Sequence, residues 1–205
     1  MPDLLNLSLR DFLAATAAKQ PTPGGGSVAS LCAALAAALA AMALRFTAGK
    51  KKFAAHEPEI QSAIARLDTA RALLEELIAE DIAAYESLSA MLKLSQPERL
   101  AHPDYPAIVV AAIRAPETAG AIAHDILLLC RHMLDKTSKF LISDLGIAAA
   151  YAHATVHAAE LNVRINLPLL PNPDEAATTK QRLYDLSTKS DQTYTQIRNH
   201  LLRVL

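Results

Sequence analysis

The 205 residues are 52% apolar, enough to bury a full core within one domain. A formal net charge of −1 offers no field for nucleic acid or anionic lipid, and 4% aromatics without tryptophan leave no platform for base stacking. Met1 to Asn6 lacks the basic start and apolar stretch of a secretion signal. A reducing cytoplasm is therefore the expected setting, with Cys32 and Cys130 as small buried hydrophobes.

In chain order, Ser8-Leu9-Arg10-Asp11 predicts a short helix to about Lys19, with a carboxylate at the capping-box position. Pro21-Thr22-Pro23-Gly24-Gly25-Gly26-Ser27 then leads into a run without charge from Val28 to Leu44. Ser27 is the expected N-cap of this second helix, which reaches Ala48 before Gly49. Its glycines are free to take positive φ, and the uncapped N–H groups form an anion site. The run is alanine-rich and at the short edge of the roughly 17–25 residues that span a bilayer, so a central bundle helix explains it better than a membrane segment. A third helix starts at Glu57-Pro58 and continues to about Leu94. Ser95-Gln96-Pro97-Glu98 opens a short element, and Tyr105-Pro106 opens a fourth long helix that Pro116 should kink or interrupt. A fifth covers about Phe140 to Asn166, and a last begins at Asn172-Pro173. No strand pattern competes. The expected class is all-α, a multihelical antiparallel bundle around the alanine-rich helix, in a single domain over residues 1–205.

The third helix carries the chemical signal. Ile60, Ile64, Leu67, Leu74, Ile78, Leu88 and Leu92 mark one face, and Asp81 and Tyr85 fall inside that stripe one turn apart. A desolvated carboxylate has its pKa raised, as a general acid or base near neutral pH requires, whereas a satisfied core carboxylate is the plainer reading. His153, His157 and Glu160 share a face, but the segment lacks the glutamate that zinc hydrolases place after the first histidine, so no metal is assigned. Lys50, Lys51 and Lys52 suit a helix C-terminus, or clamp a polyanionic tail.

Five segments in sequence, Pro21 to Ala29, Thr47-Ala48-Gly49-Lys50-Lys51-Lys52-Phe53, Asp81-Ile82-Ala83-Ala84-Tyr85, Ser143-Asp144-Leu145-Gly146, and Leu161-Asn162-Val163-Arg164-Ile165-Asn166-Leu167, resemble the folate-dependent cyclodeaminase/cyclohydrolase family over nearly the whole chain. Arg45 and Tyr85 depart from the asparagine and phenylalanine expected there. The resemblance implies an all-helical homodimer with a tetrahydrofolate derivative as substrate and no further cofactor. It implies proton transfer by Asp81 beside Tyr85, and a folate held by Gly24, Gly25, Gly26 and Ser27. Asp144, Asn162 and Asn166 would meet the pterin edge, and Lys50, Lys51, Lys52 and Arg164 the glutamate carboxylates. Hydrolysis of 5,10-methenyltetrahydrofolate is the first expectation, because no formiminotransferase domain is fused. Formiminotetrahydrofolate cyclodeamination is the second, and a non-catalytic helical protein the third. The stripes at Ile60–Leu92 and Leu183–Leu201 are the expected dimer faces.

Overall fold

A computed structural model describes residues 4–205. Among these residues there is no strand, and the α-helices are α1 (Leu9–Ala17), α2 (Gly25–Arg45), α3 (Glu57–Met91), α4 (Gln96–Ala101), α5 (Tyr105–Met133), α6 (Ile142–Arg164) and α7 (Pro173–Val204). Local chemistry sets several of the ends. The Ser8 hydroxyl accepts from Asp11 N–H at 3.1 Å, Ser95 forms a capping box with Glu98, and the Asn172 side chain accepts from Asp174 N–H at 3.0 Å. Gly49 takes φ +72° just beyond α2, the left-handed conformation that favours glycine.

α2 packs against α3, α5 and α6, while α7 lies across α5 and α6. Ala33, Ala36, Ala37, Ala40 and Ala43 have no exposed surface, so neighbouring backbones approach α2 closely. By length and composition α2 and the segment Tyr105–Lys136 are each apolar enough to cross a bilayer, and most of α2 is buried within the bundle. Burial is nevertheless not all round: Val28, Leu35 and Phe46 form an exposed outer stripe. Cys130 is buried, which pushes its thiol up to about 12, whereas Cys32 is only half-buried, unlike the sequence expectation.

Two further expectations concern the apolar stripes and Pro116. The stripe from Ile60 to Leu88 is core, as are Leu183 and Ile197, so those faces are used within the chain and are not dimer surfaces. Within the α3 stripe Tyr85 and Leu92 are exposed. Pro116 does not interrupt α5, which runs through it as one element. Proline has no N–H to give to Ala112 O, the carbonyl one turn back. Asn166 donates its Nδ2–H to that oxygen at 3.3 Å, replacing the missing backbone bond from outside the helix.

Candidate functional site

The first turn of α2 meets the middle of α3 with no room for a side chain between them. A Cβ on Gly26 would lie 2.0 Å from Asp81 Oδ1, and one on Gly25 would lie 3.0 Å from Asn162 Oδ1. Gly24, Gly25 and Gly26 do not take positive φ. What the sequence needs there is absence of bulk, and glycine supplies it.

Ser27 is not the N-cap. Gly24 holds that position without a capping side chain, and Ser27 sits inside the first turn, fully buried. Its hydroxyl donates to Asp81 Oδ2 at 3.0 Å, and its backbone N–H also reaches that carboxylate. The anion at the positive end of α2 is thus the protein's own carboxylate. Burial raises the pKa of Asp81, and the two bonds from Ser27 oppose that shift without cancelling it. A raised pKa brings the group closer to neutral pH, where it can both accept and return a proton.

Asp81 opens into a cleft of about 340 Å³, a size suited to a small organic ligand. Its walls include Gly24, Gly25, Gly26, Tyr85, Asn162 and Asn166 from the sequence-derived set. Tyr85 is half-exposed, so its ring forms wall rather than core. Asn166 also commits its amide N–H groups to Ala112 O and Asn162 O, which braces the cleft. The wall also contains residues the sequence reading did not assign to the site. Ser89 and Leu92 continue the Asp81–Tyr85 face at helical spacing, a signal that was there to be followed. Ala112 and Pro116 arrive from α5, where nothing in the local sequence ties them to Asp81.

The remaining candidates lie elsewhere. Lys50, Lys51 and Lys52 follow the far end of α2, whose 21 residues put them about 30 Å from the glycines. Asp144 belongs to the first turn of α6 and Asn162 to its last, so they too occupy opposite ends. Ser138 N–H donates to Thr47 Oγ1 at 3.1 Å, fixing the lysine end of α2 beside the start of α6. Arg164 is absent from the cleft wall and pairs with Glu160 at 2.6 Å. Arg45 pairs with Asp68 at 2.5 Å on the surface. Of the histidine set, Glu160 is taken by Ser187 and Arg164, while His153 and His157 both meet Asp191.

The formiminotransferase-cyclodeaminase family profile matches residues 8–185. The chain is 29% identical to the methenyltetrahydrofolate cyclohydrolase of Methylorubrum extorquens, over 88% of each protein. It is 30% identical to the rat formimidoyltransferase-cyclodeaminase over 89% of its own length, but that match spans only 35% of the rat protein. Its structure is similar to that of a formiminotetrahydrofolate cyclodeaminase from Thermotoga maritima, with TM-score 0.90, 27% identity and 98% of both chains covered.

Proposed function

The chain belongs to the formiminotransferase-cyclodeaminase family and is a folate one-carbon enzyme, and we propose that it hydrolyses 5,10-methenyltetrahydrofolate to 10-formyltetrahydrofolate with Asp81 as proton carrier. The observation that carries this reading is the single carboxylate at the cleft, held by Ser27 and raised in pKa by burial. The carboxylate accepts a proton as water attacks the electron-poor carbon between N5 and N10. It returns that proton to N5 as the carbon–N5 bond breaks, and the hydroxyl proton of the adduct leaves to solvent as the formyl group forms. Overall the cation and one water give the neutral formyl product and one proton. Leu88, Leu92 and Ile165 supply apolar wall for the flat parts of the ligand, and Asn162 supplies an amide edge.

A second reading is cyclodeamination, in which N10 attacks the formimino carbon and the same carboxylate protonates departing ammonia. The Thermotoga similarity favours it: that chain, named a cyclodeaminase, is covered end to end by this one. Loss of methenyltetrahydrofolate absorbance on adding the protein, without ammonia release from formiminotetrahydrofolate, is the expected result. Ammonia release with stable methenyltetrahydrofolate overturns hydrolysis in favour of the second reading.

The reading extends to a homodimer. α2 leaves Val28 and Leu35 exposed, with Phe46 at its C-terminal cap, and α6 beside it leaves Ile147, Tyr151 and Leu161 exposed, with Ile165 at its cap. Together they make an apolar face from the cleft end to the lysine end, and a second copy of the chain is its proposed occupant. The argument for that occupant is the division of the candidate residues. Lys50, Lys51 and Lys52 lie too far from their own cleft to meet its ligand, but an antiparallel copy sets them beside the partner's cleft. They then face the carboxylates of a glutamate tail.

A further inference from the structure

The helices α6 and α7 bring together a group of side chains that the folate reading does not use. His153 and His157 are one turn apart on α6, and Asp191 faces them from α7. His153 Nε2 lies 2.7 Å from Asp191 Oδ1, His157 Nε2 lies 2.9 Å from the same oxygen, and the two Nε2 atoms are 3.2 Å apart. Three donor atoms of metal-ligating type thus converge on one point.

We propose that His153, His157 and Asp191 bind a zinc ion that ties α7 to α6. Zinc bonds of about 2.0–2.2 Å in tetrahedral geometry place neighbouring ligand atoms about 3.3 Å apart. The three observed separations need to widen by between about 0.1 and about 0.6 Å to meet that value. Two imidazoles and one carboxylate also form the donor set of a three-ligand zinc site, with water in the fourth position. Room for that water exists, since His157 is 40% and Asp191 55% exposed.

The arrangement is held as a metal site requires. The ring of His153 stacks on Tyr194 with centroids 4.5 Å apart and planes 13° from parallel, which fixes the direction of its Nε2. The two histidine rings meet edge to face, so that both nitrogens aim at the carboxylate.

A second cluster on the same molecule has the same residue types and makes an instructive contrast. His56 and His132 both approach Glu59, at 3.4 and 2.9 Å. There, however, Lys136 Nζ lies 2.5 Å from Glu59 Oε2 and 3.0 Å from His132 Nε2. An ammonium already serves as the cation of that group. At Asp191 the neighbours that converge on the carboxylate are imidazoles, which are zinc ligands in their neutral form.

The test is a zinc titration of the full-length protein after chelator treatment, read by calorimetry and by melting temperature. One zinc per chain and an increase in melting temperature are expected. Both effects should be lost in His157→Ala and in Asp191→Asn, and retained in His132→Ala. Cobalt in place of zinc should give the intense visible bands of a tetrahedral ion. Diffraction from a zinc-soaked crystal at the zinc edge adds a measurement independent of variant folding, with the anomalous peak expected between α6 and α7. No binding by the unaltered protein overturns the proposal, as does binding that survives both substitutions or a peak beside Glu59.

Discussion

Asp81 and Gly26 define the chemistry between them. Burial raises the Asp81 pKa, so the folded state disfavours the charge. Stability from this group is therefore lost as pH rises from the unfolded value near ~3.9 through the higher folded value. Asp81→Asn removes the charge and keeps an oxygen that can accept from Ser27. At neutral pH the variant should melt at or above the parent temperature, and the difference should vanish in acid where the parent carboxyl is neutral. Turnover should nevertheless fall roughly 10²–10⁴-fold with folate binding retained. Full turnover with a lowered melting temperature would instead show that Asp81 is only a satisfied core group. Gly26→Ala tests the same contact sterically. Its Cβ would lie 2.0 Å from Asp81 Oδ1, so the carboxylate must leave Ser27. We expect a comparable loss of turnover with a stability cost of about 1–3 kcal/mol in chemical denaturation. Unchanged kinetics would show that the close contact does not position the carboxylate.

Among the elements, α5 and the turn that follows α6 depend on each other through a bond invisible in the sequence of either. Pro116 leaves Ala112 O without its helical donor, and Asn166 supplies one. Asn166→Ala should cost about 1–3 kcal/mol, the usual penalty of an unpaired polar group. In a Pro116→Ala background the helix can complete its own bond, so the cost should be smaller. Equal costs in the two backgrounds, measured by urea unfolding, would remove the coupling. The same pair shows where sequence reading stops. Helix number, order and approximate ends follow from capping residues, prolines and apolar spacing, and Asp81 announces itself as a carboxylate in an apolar stripe. Ser27 has the right chemistry for an N-cap, and only the neighbouring α3 carboxylate reveals why it is drawn inside the helix instead. Asp191 lies 34 residues beyond His157, so no local spacing could join them.

At the scale of the molecule, apolar periodicity marks which helix faces are buried but not what buries them. Most of the apolar stripes of α3 and α7 is covered within the chain, whereas α2 and α6 each carry an exposed apolar stripe. The linear motifs likewise looked like one site, yet the length of α2 divides them between two ends. Light scattering should give twice the 22.0 kDa chain mass, and Leu35→Glu, which puts a charge on the exposed α2 stripe, should return it to the chain mass with helicity intact. A 22.0 kDa species in the parent protein at micromolar concentration would rule out the dimer.

The hydrogen bond between Thr47 and Ser138 also has a consequence in time. Ser27 and Thr47 bracket one continuous helix whose alanine flank is packed without slack, and each end is attached to a different neighbour. Such a rod has no free stroke: sliding it breaks both attachments and the packing between them at once. The wall that carries Ser27 is therefore in its working position before any ligand arrives, so encounter needs no waiting for a rearrangement of this element. Ligand association followed by stopped-flow fluorescence should be a single exponential whose rate rises linearly with ligand concentration. A rate that saturates would reveal a gating step on the path to the cleft.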